Sequence, residues 1–352
     1  MAHALTPAFA DLLRRLPKTD LHCHVVGALR PGTLADLAHK HGAALPRPAA
    51  TLYEFSNFYD FLEILHIAAS VLRDREDFAR LSYEVLEDGF RAGRMLHAEL
   101  LFNPQYHRPQ GVHYRTIVDG LTDGIEAARQ AFGTSALLVA SFDRIIEPRG
   151  ALEILDEVLA LRSDAVVGIG LDGAERNGPP ARFTELYERA GRAGLKRTAH
   201  VCEDNQTLEE APPQHYAVCH DQLHCDRLDH GYNLLADAAM VERARDDGLF
   251  FNVCTVTSVT KNLERRSASI GRMVDAGLRV TVNTDDPAMF KTDLADSYQR
   301  LFATRPDWGI EEARRFSFAG IDASWLDDSG KRRLRERFEA EWAALPVDGA
   351  PA

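Results

Sequence analysis

The sequence predicts an α/β protein built as a single (β/α)8 barrel (a TIM barrel), with extra helices over the barrel mouth and a C-terminal helical tail. Short β-branched or apolar runs alternate regularly with longer amphipathic segments, and there are eight such runs in the 352 residues. Strands that alternate with helices form parallel βαβ units, and eight units close a barrel. An open doubly wound sheet is the alternative, but the even spacing of eight units favours closure.

The elements follow from this alternation in chain order. The predicted strands are Asp20–Val26, His97–Phe102, Ala136–Phe142, Ala165–Leu171, Lys196–Glu203, Arg227–His230, Phe250–Thr255 and Arg279–Asp285. The predicted crossover helices include Asp77–Arg91, Tyr114–Phe132, Pro148–Arg162, Ala181–Ala193, Ala236–Asp247 and Ser267–Ala276. Segment 51–72 is longer and more aromatic than a crossover needs, so we expect a helical lid there, and Lys331–Leu345 is expected to form the tail helix. No linker or repeat interrupts the chain, which favours one domain over residues 1–352.

Composition excludes several classes of partner. The net charge of -12 argues against nucleic acid and anionic membranes, because both require a basic face. No segment approaches the roughly 18 apolar residues that span a bilayer, and the first residues lack the apolar core of a signal peptide. We therefore expect a cytoplasmic protein. Its five cysteines are expected to be buried and reduced.

Residues capable of metal ligation or proton transfer collect at or just past the carboxyl ends of predicted strands 1, 4, 5, 6 and 8. They are His22, His24, Asp172, Gly173, His200, Glu203, His230, Asp285 and Asp286. In a barrel these ends converge on one face, where the active sites of barrel enzymes lie. A scatter of core histidines would not select strand ends five times, so we expect one polar cluster.

The pair of His22 and His24 predicts a metal site. His22 and His24 are two residues apart in a β-type run, so their imidazoles point to the same face. His200 is the natural third imidazole and Asp285 adds a carboxylate. Three histidines and one carboxylate suit Zn²⁺ and tolerate Fe²⁺ or Mn²⁺, and we expect one zinc ion per chain. A single histidine at a strand end is more often packed or hydrogen-bonded, so the prediction depends on the whole set.

The remaining residues predict acid–base chemistry on a water that the metal activates. His230 is the candidate for orienting the water, and Glu203 for protonating a ring nitrogen while the neighbouring carbon is attacked. A glutamic acid shielded from water can retain its proton at pH 7 because its pKa is raised. Asp286 precedes the turn at Pro287 and can reach a substrate, and Gly173 offers a backbone N–H. The alternatives are a loop cap for His230, an ordinary loop carboxylate for Glu203 and a tight turn for Gly173.

A second histidine pair has the spacing of a helical zinc site. His220 and His224 stand four residues apart with Asp221 between them, as in H-E-x-x-H metalloproteases. Aspartate replaces the glutamate base, and the segment precedes strand 6. We therefore expect this pair on a crossover helix outside the barrel, without a catalytic role.

As a set, these motifs resemble the adenosine deaminase family of the amidohydrolase superfamily. The matching segments are Leu16–His24, His97–Leu100, Gly170–Glu175, His200–Glu203, Asp229–Gly231 and Thr284–Pro287. The resemblance implies a mononuclear zinc barrel that hydrolyses the 6-amino group of an adenine ring to a 6-oxo group and releases ammonia.

The resemblance also implies the role of each residue. The zinc ligands would be His22, His24, His200 and Asp285. Glu203 would protonate N1, and His230 with Asp285 would orient the water. Asp286 would contact N7, Gly173 would contact N3, and His24 would also border the substrate.

Two departures concern the substrate. Val26 stands where adenosine enzymes of the family have an acid that accepts the sugar 5′-hydroxyl, and the stretch Cys202–Thr207 replaces the usual glycine after His200 with bulkier residues. Valine cannot accept a hydrogen bond. We expect adenosine or a close derivative as the substrate, with adenine or a 5′-modified adenosine as alternatives. The expected partner is thus a small purine nucleoside or base.

Two other classes of protein fit less well. Two-metal amidohydrolases often use a lysine at the end of strand 4, whereas that strand ends in Gly170–Gly173 without one. A non-catalytic relative would be expected to lose a metal ligand or Glu203, and none is lost.

Overall fold

A computed structural model describes residues 3–258 and 263–345, and within them the chain forms a closed parallel barrel. Its strands are β1 Lys18–His24, β2 Met95–Phe102, β3 Ser135–Asp143, β4 Val166–Asp172, β5 Lys196–Arg197, β6 His200–Val201, β7 Leu228–His230, β8 Phe250–Cys254 and β9 Arg279–Asn283. Hydrogen bonding orders them as β1-β2-β3-β4-β5 and β6-β7-β8-β9, with every pair parallel. The predicted (β/α)8 barrel is confirmed.

The two sheets are halves of one barrel. The backbone N–H of Thr198 donates to Ile169 of β4 at 3.0 Å, and Asp229 of β7 donates to Ala199 at 3.0 Å, so residues 196–201 join the halves. The other seam closes between the last and first strands, where the Asp285 N–H donates to the His22 carbonyl at 2.9 Å.

The prediction of an unbroken strand over Lys196–Glu203 is wrong in its middle and at its end. The Thr198 carbonyl accepts a hydrogen bond from the Tyr187 hydroxyl at 2.5 Å, which separates β5 from β6. The strand ends at Val201 because Cys202 adopts a left-handed conformation with φ of 53°. Such a conformation cannot continue a strand.

The helices surround this barrel. They are α1 Pro7–Arg15, α2 Pro31–Lys40, α3 Ala49–Leu52, α4 Phe58–Ala69, α5 Arg75–Gly93, α6 Tyr114–Phe132, α7 Pro148–Ala160, α8 Thr184–Arg192, α9 His215–Asp221, α10 Ala238–Asp247, α11 Leu263–Asp275, α12 Leu294–Ala303, α13 Ile310–Ala323 and α14 Asp328–Ala343. Helix α9 ends at Asp221, so the prediction that His220 and His224 share a crossover helix is wrong. His224 follows in a left-handed conformation with φ of 50°.

The segment predicted to form a lid contains two helices, α3 and α4. Helix α4 begins after Asn57, whose side-chain oxygen accepts from the backbone N–H groups of Tyr59 and Asp60. Its buried face, which includes Phe58 and Phe61, lines a cavity at the barrel mouth. The assignment of the chain to one domain with a lid over 51–72 stays a prediction.

The five cysteines are all buried and unpaired. No helix in the described ranges has both the length and the apolar character required to cross a membrane.

Candidate active site

Four buried side chains converge where the first and last strands meet. His22 and His24 lie on β1, His200 begins β6 and Asp285 follows β9, and their ligand atoms all lie within 4.8 Å of one another. The Nε2 atoms of His24 and His200 are 3.1 Å apart. Oδ1 of Asp285 is 3.2 Å from His22 Nε2 and 3.6 Å from His24 Nε2.

These distances fit a divalent metal ion. Tetrahedral zinc with bonds of about 2.1 Å places its ligand atoms about 3.4 Å from one another. Imidazole nitrogens and a carboxylate oxygen are a suitable donor set for such an ion. The set predicted from the sequence is therefore brought to one point by the closure of the barrel.

A further carboxylate, Asp229, orients two of these histidines from behind. It lies 3.0 Å from His22 Nδ1 and 3.6 Å from His200 Nδ1. Asn252 and Thr198 donate to its two oxygens, each at 2.8 Å. Although burial opposes ionisation, the charge of His22 holds the pKa of Asp229 below its usual range. Such outer partners fix the ring orientation of metal-ligating histidines.

The sequence places Asp229 in the Asp229–Gly231 motif but predicts no role for it. Its position immediately before His230, at the end of a strand, was the available signal.

Glu203 and His230 face each other across the cluster. His230 Nε2 lies 3.8 Å from Glu203 Oε1, and both side chains are buried. Burial raises the pKa of Glu203 to about 8, with the Arg266 guanidinium opposing this shift and the charge of Asp285 adding to it. Burial lowers the pKa of His230, which keeps its imidazole neutral. Glu203 can therefore carry a proton at pH 7, and His230 can accept one.

Asp286 and Gly173 border the same cavity. Asp286 is 3% exposed, and its Oδ1 has no hydrogen-bond partner among the described residues. Burial and the neighbouring charge of Asp285 raise the pKa of Asp286, so it can donate a proton in a hydrogen bond. Gly173 has φ of 79°, and a Cβ there would lie 2.6 Å from Asp143 Oδ1, so glycine is required.

The cavity between these groups and helix α4 offers about 420 Å³ of space free of atoms, a volume that includes its opening to solvent. Its apolar lining comes from α4 and neighbouring loops. The lining residues of this kind are Phe58, Phe61, Leu62, Leu65, Tyr106 and Phe290. Its polar lining contains histidines, carboxylates, Asn205 and Gly173, and the lining includes no lysine or arginine within the described ranges. Val26 is 3% exposed and is not one of the lining residues.

Asp172 is another lining carboxylate, whose position at a strand end was predicted without a role. It lies 3.8 Å from His24 Nδ1 and accepts a hydrogen bond from Asn103 at 2.8 Å. Burial and the charge of Asp143 raise the pKa of Asp172 to about 6.

A parallel (β/α)8 barrel with three histidines and an aspartate clustered at its carboxyl-end face is the architecture of the amidohydrolase superfamily. The family model named adenosine deaminase matches residues 17–341, which is most of the chain. The chain therefore belongs to the adenosine deaminase family and is an enzyme of the purine deaminase type.

Relatives of known name agree with this placement. An adenine deaminase of Trichlorobacter lovleyi is 32% identical over 344 residues, covering 95% of this chain and 96% of the relative. An adenine deaminase of Hahella chejuensis is 32% identical over 335 residues, covering 94% of this chain and 98% of the relative.

Solved structures show the same architecture. The adenine deaminase of Arthrobacter aurescens superimposes with a TM-score of 0.84 at 32% identity, covering 93% of this chain and 99% of that one. A zinc-bound amidohydrolase of Burkholderia ambifaria gives a TM-score of 0.87 at 31% identity, covering 98% of this chain and 96% of that one.

Proposed function

We propose that this protein catalyses the zinc-dependent hydrolytic deamination of a 6-aminopurine, with adenine as its substrate. The observation that carries the proposal is a buried Glu203, whose pKa burial raises to about 8, beside the histidine–aspartate cluster in one cavity. Relatives about 32% identical are named adenine deaminases, which favours adenine over the adenosine that the sequence led us to expect first.

The metal cluster defines the reacting end of the cavity. His22, His24, His200 and Asp285 would hold the zinc ion. When bound, zinc supplies the Lewis acidity that activates water for attack on ring carbon 6.

The other residues handle protons and orient the base. Neutral His230, with Asp285, orients the attacking water and accepts its proton. Glu203 gives a proton to N1, which makes carbon 6 more electrophilic. Protonated Asp286 donates to N7, and the Gly173 N–H donates to N3. Each of the ring nitrogens N1, N3 and N7 thus accepts a hydrogen bond or a proton from a donor of the protein.

The charge of the cavity favours a substrate without phosphate. Its lining includes the carboxyl groups of Asp172, Glu203, Asp285 and Asp286 and, within the described ranges, no lysine or arginine. Among the described lining residues a 5′-phosphate would find no cation, and burying an unpaired charge is costly. We infer that a free base or an uncharged nucleoside binds in preference to a nucleotide.

A 5′-modified adenosine is the second candidate, and Val26 favours it. The side chain at the position of the usual 5′-hydroxyl acceptor is apolar and buried. A sugar that carries an apolar 5′ group does not need that acceptor, whereas adenosine does.

The test is a turnover assay on zinc-loaded protein, following the ultraviolet change from 6-aminopurine to 6-oxopurine. Adenine, adenosine, 2′-deoxyadenosine, 5′-substituted adenosines and AMP are compared, with Glu203→Gln as the inactive control. Adenine is expected to give the highest kcat/KM. Turnover confined to 5′-substituted nucleosides would replace adenine with the second candidate. The absence of turnover across the panel, with zinc bound, would refute deamination of 6-aminopurines.

A further inference from the structure

The two carboxyl oxygens of Glu203 have different surroundings. Oε1 accepts hydrogen bonds from Arg266 Nη2 at 3.0 Å and from Asn205 Nδ2 at 2.6 Å. No hydrogen bond to Oε2 is formed within the ranges that the structure describes, and Glu203 lines the cavity. In a protonated carboxyl group, the oxygen that accepts two N–H donors is the carbonyl oxygen. The proton is thereby assigned to Oε2.

The amide of Asn205 has only one workable orientation. Its Oδ1 accepts from Arg266 Nη2 at 3.0 Å and from the Thr257 hydroxyl at 2.5 Å. A guanidinium can only donate, so a flipped amide would place its NH2 group against another donor. The Asn205 N–H group is therefore directed at Glu203.

Arg266 is itself held in place by several partners. It lies on α11, is fully buried, donates to Asp204 Oδ1 at 2.6 Å and to the Val256 carbonyl at 3.1 Å, and stacks on the Tyr232 ring. Because Asp204 balances the guanidinium charge, Arg266 can donate to Glu203 without forcing it to ionise. Arg266 therefore acts on Glu203 in two ways, by its own hydrogen bond and by orienting Asn205, which also donates to Glu203.

We propose that Arg266 and Asn205 are positioning residues that keep Oε1 of Glu203 an acceptor, so that its proton is carried on Oε2 toward the purine. The sequence did not indicate either residue, because an arginine in a charged helix is normally interpreted as solvent-facing. The inference rests on the proposed function for its catalytic meaning, whereas the hydrogen-bond arrangement itself does not.

The variant Asn205→Asp tests the arrangement with almost no change of shape. The new carboxylate still accepts from Arg266 and Thr257 but cannot donate to Glu203. The carboxyl groups of Glu203 and the new aspartate then lie side by side and share one proton. That proton lies between them, on Oε1 of Glu203, and is no longer on Oε2. We expect kcat to fall on the order of 10²-fold with KM and zinc content little changed, as for a small misplacement of a catalytic group.

Arg266→Gln is the second variant and Arg265→Gln its matched control. Arg265 also contacts Asp204, at 3.5 Å, but is largely exposed and forms no described contact with Glu203. We expect Arg266→Gln to lower kcat and Arg265→Gln to leave it near the wild-type value. Should Arg266→Gln fail to fold, Asn205→Asp still decides the question.

Infrared spectroscopy separates this inference from the proposed function. The carbonyl band of protonated Glu203 is identified by its loss in Glu203→Gln and is expected to shift in Asn205→Asp and Arg266→Gln but not in Arg265→Gln. An unshifted band in the two test variants overturns the inference whatever the turnover, as does unchanged kcat in an active enzyme. A shifted band in a protein that deaminates no 6-aminopurine leaves the positioning intact and refutes only the proposed function.

Discussion

At the scale of single residues, two carboxyl groups on the same cavity are driven in opposite directions by their surroundings. Glu203 is buried beside Asp285, which raises its pKa to about 8. Burial opposes ionisation of Asp285 as well, but the hydrogen bond and charge of His22 hold the pKa of Asp285 well below its usual range. Separated pKa values of this kind distinguish a proton donor from a metal ligand.

This separation predicts the pH dependence of the enzyme. In the proposed mechanism Glu203 acts only in its protonated form, whose population is full below the raised pKa and is lost as the pH rises through about 8. We expect kcat/KM for adenine to decline above about pH 8, measured from pH 5 to 10 with zinc present. A decline already under way at pH 5, as expected for a glutamic acid with the ordinary pKa of 4.5, would contradict a buried acid at this position.

At the scale of elements, helix α4 of the predicted lid packs over the cavity through aromatic contacts. The ring of Phe61 on α4 lies 5.0 Å from that of Phe290, in the loop after β9. Aromatic pairs at this separation stabilise one another by about 0.5–1.5 kcal/mol beyond their burial. The contact therefore joins the lid to the loop that carries Asp285 and Asp286.

Truncating Phe290 should loosen the lid without changing the proton chemistry. We expect Phe290→Ala to raise KM for adenine several-fold with a smaller effect on kcat, because the lid encloses the substrate but contributes no acid or base. The control is Phe132→Ala, which removes a comparable ring from the Phe90–Phe132 stack at 5.4 Å, on a different pair of helices. Equal changes in KM for the two variants would show that the lid contact has no special role.

Sequence patterns predicted some helices and strands more accurately than others. Helix α6 spans Tyr114–Phe132 as predicted, because a long amphipathic helix packs one continuous face on the barrel. The fifth strand could not be predicted in detail, because its interruption depends on the hydroxyl of Tyr187, a residue on the preceding helix.

At the scale of the whole molecule, the proposed metal ligands link the first and last strands of the barrel. His22 and His24 come from the first strand, and Asp285 follows the last one. An ion that binds only the folded state stabilises it by mass action, by about 2.7 kcal/mol at a free concentration one hundred times its dissociation constant.

Removal of metal should therefore weaken the closure of the barrel. We expect chelator-treated protein to melt at a lower temperature and added zinc to restore it, as followed by circular dichroism. His200→Ala serves as the comparison and should respond much less to zinc. Identical melting of the treated and zinc-loaded wild-type proteins would argue against a metal site that joins the strands.

A buried ion pair ties the C-terminal part of the chain to the barrel. Glu99 of β2 lies 2.7 Å from Arg227 Nη1 and also accepts from the backbone N–H of Trp325 at 2.5 Å. Both charged side chains are almost completely buried. The Arg227 guanidinium also stacks on the Trp325 ring at 4.0 Å.

Breaking this pair should destabilise the folded state, because the buried charge of Arg227 is left without a partner. We expect Glu99→Gln to lower the free energy of unfolding by about 3–5 kcal/mol in urea denaturation. Glu126→Gln, which removes an exposed ion pair with Arg129, is the control and should have little effect.

The pair also has a predicted pH dependence. Although burial opposes ionisation, Arg227 lowers the pKa of Glu99 below that of the unfolded chain. Its stabilisation is full above about pH 4.3, the pKa of an unperturbed glutamate, and is lost as the pH falls below that value. The stability difference between wild type and Glu99→Gln should therefore shrink in acid.

The barrel and the candidate ligand set were predictable from the amino-acid sequence, because both depend on local periodicity and on residue types at strand ends. His22 and His24 lie on the same face because they are two residues apart in a strand, and this spacing is visible in the sequence. Tertiary structure alone showed that Asp229 supports His22 and His200, and that Arg266 reaches Glu203. Those contacts join residues that are distant in the chain, and their geometry exists only once the barrel has closed.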